Sequence, residues 1–348
     1  MNVPVTFVSS HAKLGGSERY LETLLPQLES SFVHEVVVLQ HGPLVDRLRA
    51  AGFPTIEIPT GAGLVAALRS ARRLRHRLLA NPPAVVHANG VKAALVSVLA
   101  TRRMKVPVMW VKHDFSWDGR LSSFIARRAS LVVGVSSEVL KRLPSGAATK
   151  VVHTGITMSS VNSLEARRLV EELAGGTPVI SLVGRLDPVK GHRDLVAAAP
   201  TGARLLFIGG VDESHAEFAA QLQKEARTRA TFLGHRDDIE ELIAGSDIIA
   251  IPSRSEGFGL VALEAMALGV PVVGYATGAL PEVVGSCGVL VPTGDVDALR
   301  TALDRVLTDL PLRDAVVSCG RERASRDFAV HRWVEEMCAA YRVTASSQ

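Results

Sequence analysis

The sequence predicts an α/β protein made of two parallel-sheet domains in tandem, and three observations predict it. Short apolar runs rich in Val, Ile and Leu alternate with longer segments of helical periodicity, the runs are continuous rather than alternating in polarity, and the rhythm restarts past the middle of the chain. Continuous apolar strands separated by helices belong to parallel sheets covered on both faces. At 348 residues the chain has the length for about two ordinary domains. Two Rossmann-like domains in tandem are the expected fold.

In the first half the expected strands are 3–8, 35–39, 55–58, 84–88, 106–112, 131–135 and 151–153, with helices at 17–29, 44–51, 64–79, 92–101, 121–129 and 137–143. In the second half strands are expected at 179–183, 204–208, 231–233, 248–251, 270–273 and 289–291, again with helices between. The polar segment 158–176 sets the expected boundary, giving domains 1–160 and 161–328. Asp295 and Asp297 stand where an N-cap and first turn belong, ahead of helices to 307 and from 311 to 325. A last helical pattern, 330–343, carries Trp333, Met337 and Tyr341 on one apolar side, so the segment 329–348 is expected to pack back on the first domain.

Composition narrows the function. With 47% hydrophobic and 21% charged residues the chain is not disordered. A net charge of +4, with few aromatics and no basic run interleaved with them, argues against nucleic acid as a partner. The N-terminal apolar run has no basic leader and is expected to be a strand, and no stretch approaches a spanning helix. Cys287, Cys319 and Cys338 show no CxxC spacing, so reduced thiols in a cytoplasmic protein are expected. Arg69, Arg72, Arg73, Arg75, His76 and Arg77 share one helical segment with Leu64, Val65, Leu68, Leu74 and Leu78. A solvated face over a core stripe is the ordinary reading, and peripheral contact with an anionic membrane at its inner face is the second.

Parallel sheets place ligands at the carboxyl ends of their strands. The stretch 248–273 reads strand, polar glycine-containing turn, apolar helix and strand, with Glu256 in the turn and Glu264 about two turns into the helix. Gly257 and Gly259 let backbone approach a ligand, uncapped N–H groups favour an anion, and carboxylates accept hydrogen bonds from hydroxyls. A ligand carrying both phosphate and hydroxyls would use both features. Glu256 taken alone is as readily an ordinary acidic helix start. Arg185 and Lys190 lie on one turn after the strand 179–183, between Gly184 and Gly191, where two cations can clamp a diphosphate. The first strand leads into the paired glycines Gly15 and Gly16 with Ser17 as the expected cap, and His113 ends the strand 106–112 among Trp110, Phe115 and Trp117.

The combination GGSE, VKHD, GRLDPVKG, EGFGLVALE and GALPE resembles glycosyltransferase family 4 over nearly the whole chain, retaining enzymes of the two-domain GT-B fold. The resemblance implies an interdomain cleft, a nucleotide-diphosphate sugar donor held mainly by the C-terminal domain and an acceptor held by the N-terminal one. It implies a diphosphate clamp of Arg185 and Lys190, a ribose contact from Glu264, and a contact from Glu256 to the sugar hydroxyls. Backbone amides from Gly257 through Phe258 and Gly259 to Leu260 would meet sugar and phosphate. Gly15 and Gly16 resemble the loop that closes on the phosphates, and His113 the histidine that contacts the donor sugar near the reacting centre. Glu18 and Ser136 also fall in family segments. No metal and no cofactor beyond the donor substrate is implied. The chain departs from the usual glycine pair before Pro-Glu, carrying Gly278-Ala279 instead. A sugar-nucleotide epimerase of the same architecture and a non-catalytic nucleotide-binding scaffold remain as alternative readings, and a clamshell solute-binding protein is disfavoured by the missing signal peptide.

Overall fold

The computed structural model describes residues 3–13, 15–158, 160–176, 178–226 and 228–346. Met1 and Asn2 of the N-terminal run, Leu14 of the glycine loop and Ser159 of the expected boundary segment lie outside them. The chain divides into two compact units, Met1–Gly155 with Val330–Gln348, and Ile156–Ala329.

The first unit has a sheet of β1 (Val5–Ser9), β2 (Val33–Val38), β3 (Thr55–Glu57), β4 (Val85–Asn89), β5 (Val108–Lys112), β6 (Leu131–Gly134) and β7 (Thr149–Val151). The order is β3-β2-β1-β4-β5-β6-β7, all parallel. Its helices are α1 (Gly16–Leu24), α2 (Pro43–Ala50), α3 (Leu64–Ala80), α4 (Val91–Ala100) and α5 (Arg120–Ala126). Strands β1, β4 and β5 are buried along their whole length, as their continuous apolar runs require. The helix expected over 17–29 stops at Leu24, followed by one 3-10 turn containing Pro26, because proline lacks the N–H that the helix needs. The helix expected over 137–143 is a single 3-10 turn, Glu138–Leu140.

The second unit has β8 (Val179–Val183), β9 (Arg204–Ile208), β10 (Ala230–Gly234), β11 (Ile248–Ile251), β12 (Val272–Tyr275) and β13 (Val289–Val291), in the order β10-β9-β8-β11-β12-β13, again parallel throughout. Its helices are α6 (Ser163–Ala174), α7 (His192–Ala198), α8 (Ala216–Ala226), α9 (Ile239–Ala244), α10 (Leu260–Leu268), α11 (Leu280–Val284), α12 (Val296–Thr308) and α13 (Leu310–Asp327). The polar segment expected to mark the boundary is largely α6. Asn162 caps it by accepting from the Leu164 and Glu165 N–H groups, and Val170 and Ala174 pack on Leu206 and Ile208, so it is part of the second unit. The division falls at Gly155/Ile156 and Ala329/Val330, against the expected 160/161 and 328/329.

The last helix, α14 (Val330–Ser346), belongs to the first unit, burying Trp333, Met337 and Tyr341. Trp333 meets the Tyr20 ring edge-on at 4.7 Å, and Tyr341 Oη lies 2.9 Å from His87 Nδ1.

The cysteine expectation is corrected. Cys287 and Cys319 form a disulfide with Cα atoms 5.1 Å apart, and Cys338 is the free, buried thiol. Chain spacing hides this pairing, because α13 folds back beside α11, where the Arg323 guanidinium donates to the Glu282 and Val283 carbonyls. Cysteine usage therefore gives no support to a reducing compartment.

Candidate functional site

In each sheet the chain leaves one central strand and returns on its other side, at β1/β4 in the first unit and β8/β11 in the second. Connections there diverge to opposite faces, leaving a crevice at the carboxyl ends of the two strands. The candidate residues lie in or just beyond the loops that follow these strands, except His113, which follows the neighbouring β5, and Glu264, which lies within α10.

In the second unit, Arg185 and Lys190 follow β8, while Glu256 and Gly257 follow β11. Lys190 Nζ is 3.0 Å from Glu256 Oε2, with the two side chains 26% and 15% exposed. Both line a small recess with Ser253, Gly259 and the carboxyl ends of β8 and β11. Arg185 is exposed, pairs with Asp212 and lies 4.0 Å from Asp187 Oδ2. Asp187 in turn accepts from the Val189 N–H at 2.9 Å, capping the short turn that carries Lys190. Each candidate cation thus has a carboxylate beside it, and an anionic ligand would replace those carboxylates as partner.

The turn into α10 depends on glycine at specific points. Gly259 is the N-cap with φ +100°, a region that side chains rarely adopt. Gly191 has φ +73°, and a Cβ there would sit 1.9 Å from the Pro252 carbonyl oxygen. Phe258 is buried and packs edge-on against Phe328, 6.1 Å between ring centres, and Leu260 begins the helix. Glu264 lies just over one turn into α10 rather than two, because the helix starts at Leu260, and it is 7% exposed among Ala262, Leu263, Ala265 and Met266. It is not on a solvated face.

The departure at Gly278-Ala279 is accommodated. Gly278 has the positive φ, +52°, and its Cβ position would lie 2.1 Å from the Glu256 carbonyl oxygen. Ala279 is right-handed helical, φ −84°, is fully buried, and its N–H donates to that same carbonyl at 2.9 Å. Alanine satisfies both demands. Asp295 caps α12 by accepting from the Ala298 N–H at 2.9 Å, in keeping with the capping role read from the sequence.

In the first unit, Gly15 is the N-cap of α1 and Gly16 its first residue. The expected Ser17 cap is corrected: the helix starts one residue earlier, and Ser17 Oγ donates to Glu18 Oε1 at 2.8 Å. Glu18 is buried, which pushes its carboxyl above the usual range. Ser136 is buried too. His113, the first residue after β5, is half-buried and meets the Tyr20 ring edge-on at 4.8 Å. Burial pulls its pKa down to about 4, with Asp114 raising it and Lys112 lowering it, so the ring is neutral at pH 7.

Sequence reasoning missed Asn89. The strand was expected to end at 88, whereas Asn89 is the last residue of β4, fully buried, and bonds both the Ser17 carbonyl and His113. The available signal was an Asn-Gly pair at a strand's carboxyl end.

Residues 14–159 match the family model described as Glycosyltransferase Family 4, and residues 177–309 the one described as Glycosyl transferases group 1. The chain is similar to the D-inositol 3-phosphate glycosyltransferase of Mycobacteroides abscessus, 36% identical over 170 residues, covering 45% of this chain and 38% of that protein. It is also similar to the GDP-mannose-dependent monoacylated alpha-(1-6)-phosphatidylinositol monomannoside mannosyltransferase of Corynebacterium glutamicum, 31% identical over 225 residues, 60% of this chain and 57% of that one. The matched stretch therefore spans less than two thirds of either relative. Among solved structures, Anabaena HepE in complex with UDP-glucose superposes with a TM-score of 0.87 at 22% identity, covering 98% of this chain and 100% of that one. That likeness shows the fold, two Rossmann-like domains of the GT-B type.

Proposed function

The chain belongs to glycosyltransferase family 4, and from that premise we propose that it transfers a hexosyl group from a nucleotide-diphosphate sugar to a hydroxyl acceptor, with retention of configuration. The observation that carries the proposal is the pairing of Lys190 with Glu256 across the carboxyl ends of β8 and β11, beside the glycine-started helix α10. It sets a cation for phosphate and a carboxylate for hydroxyls within one recess.

Breaking a sugar–diphosphate bond develops positive charge on the sugar and negative charge on the leaving oxygen. Lys190 and Arg185 meet the leaving charge, together with the backbone amides of Gly257, Phe258, Gly259 and Leu260 at the start of α10. Glu256 and the buried Glu264 accept hydrogen bonds from sugar and ribose hydroxyls. Neither is cast as a covalent nucleophile: the leaving diphosphate takes the acceptor's proton while the acceptor attacks on the same face. Two side-chain cations supply the charge that this step needs, so no metal is assigned to it. On the first unit, Gly15, Gly16 and His113 are read as the donor-facing loop and the sugar contact.

The acceptor is a saccharide, a lipid-linked sugar or a small hydroxylated product. Among the described residues no helix is long and apolar enough to cross a membrane. The outer face of α3 supports a peripheral place at an anionic inner membrane surface. Leu64, Val65 and Leu68 are 65%, 63% and 42% exposed there, Arg69, Arg72 and Arg73 are exposed beside them, and the helix has no acidic residue. Co-sedimentation with anionic liposomes tests that part.

The central test is a thermal-shift screen of nucleoside diphosphates and their sugars, followed by transfer assays with the hits. One nucleoside diphosphate is expected to raise Tm, and its sugar to be transferred with retained configuration. No shift with any of them sinks the reading, and isomerised sugar nucleotide in the absence of acceptor would favour epimerisation instead.

A further inference from the structure

One carboxamide of the first unit joins the carboxyl ends of β4 and β5 to the first turn of α1. Asn89 is 1% exposed; its Nδ2 lies 2.7 Å from the Ser17 carbonyl oxygen and its Oδ1 lies 2.5 Å from His113 Nε2. A backbone carbonyl only accepts, so the NH2 side of the amide must face Ser17. Oδ1 then faces the imidazole, and since it also only accepts, the proton between them belongs to Nε2. With Nε2–H committed, the lone pair of the neutral ring is on Nδ1.

We propose that Asn89 is a positioning residue that holds His113 as the Nε2–H tautomer, presenting Nδ1 to accept a hydrogen bond from a hydroxyl of the bound sugar, and that ties this orientation to the glycine-started first turn of α1 at Gly15, Gly16 and Ser17. The hydroxyl contact rests on the placement of His113 at the donor sugar proposed above; the tautomer does not.

The surroundings of His113 favour this assignment. The Tyr20 ring on α1 meets it edge-on, His87 lies further back on β4, and Lys112 at the end of β5 and Asp114 in the following loop flank it in the chain. Burial disfavours the imidazolium, and an amide partner adds no charge to oppose that. A carboxylate at position 89 would stabilise the imidazolium and could not donate to the Ser17 carbonyl. A glutamine would overreach by one methylene. Asparagine alone among these supplies one donor and one acceptor at this reach without charge. Because the same amide carries both bonds, a shift of the first turn of α1 at Ser17 and a turn of the His113 ring are mechanically linked.

The test is ring nitrogen-15 NMR of the full chain, with His113→Gln used to assign the signal. Wild type is expected to show an Nε2–H ring from pH 8 to pH 5. Asn89→Asp is expected to raise the His113 midpoint by about one unit or more, the effect of a carboxylate at hydrogen-bond distance. Asn89→Ser, small and neutral, is expected to leave the ring mixed between tautomers and to lower kcat about tenfold with donor KM little changed. An Nδ1–H ring in wild type overturns the proposal, as does an unchanged ring signal in both variants. An unchanged kcat in Asn89→Ser overturns the positioning role. The spectra need no turnover, so failure of the proposed reaction would appear as absent transfer with the predicted tautomer intact.

Discussion

Lys190 and Glu256 form an ion pair, Nζ to Oε2 3.0 Å, from loops that follow two adjacent strands. Both side chains are largely buried, so the pair is shielded from the screening that makes surface pairs worth little. A bound diphosphate would compete with Glu256 for the ammonium and release the carboxylate toward the sugar. Lys190→Ala is expected to reduce kcat/KM about 100-fold or more, and Arg185→Ala similarly, as for loss of one charge-stabilising group. Glu256→Gln should lower kcat more than it weakens nucleoside diphosphate binding. Steady-state transfer and calorimetric titration check this; wild-type rates in the clamp variants would remove both cations from the site.

Gly278 sets the position of the Glu256 backbone. Gly278→Ala must place a methyl 2.1 Å from the Glu256 carbonyl oxygen at a positive φ, and is expected to cost about 1–3 kcal/mol from the backbone alone. Ala279→Gly, at a right-handed position, should cost about 1 kcal/mol or less. Chemical denaturation of the two variants measures the contrast, and equal losses would contradict the assigned conformations.

Buried histidines set an acid limit on stability. Burial lowers the pKa of His87 to about 3 and those of His113 and His192 to about 4. A histidine whose folded pKa lies below its unfolded value, about 6.5, binds its proton more readily when unfolded. Stability is therefore expected to be full above about pH 6.5 and to fall steadily as pH drops toward 4. His192 is fully buried against Phe207 and Phe218. His192→Phe should flatten the decline. Melting temperatures from pH 7.5 to 4.5 give the slope, and an unaltered slope in the variant would show that His192 does not contribute.

The disulfide fastens the loop after α11 to α13 across 32 residues of chain. Constraining an unfolded loop of that length is worth about 3–4 kcal/mol in the chain-entropy account. The double variant Cys287→Ser, Cys319→Ser, or reduction of the wild type, should lower Tm by several degrees with little change in the Lys190–Glu256 region. A Tm that ignores reductant would mean that the two thiols are not joined in solution.

The alternation of apolar runs and helical patterns made the two sheets legible, because a strand buried on both faces needs an unbroken apolar run and a covering helix needs a 3.6-residue period. The candidate site was legible for a related reason: glycines and charged residues cluster where strands end. Glu264 was placed a turn too deep since its helix start depends on Gly259 adopting a left-handed conformation, which composition does not reveal.

By itself, then, the sequence determined the parallel α/β class, the alternation of elements and the loops that carry Arg185, Lys190, Glu256 and His113, all of which follow from local periodicity and strand-end chemistry. Only the tertiary structure decided that Lys190 meets Glu256, that Asn89 joins His113 to Ser17, and that Cys287 meets Cys319. These are contacts between residues 24 to 72 positions apart in the chain, set by strand order and helix packing, and no local pattern encodes which distant partner a side chain will face.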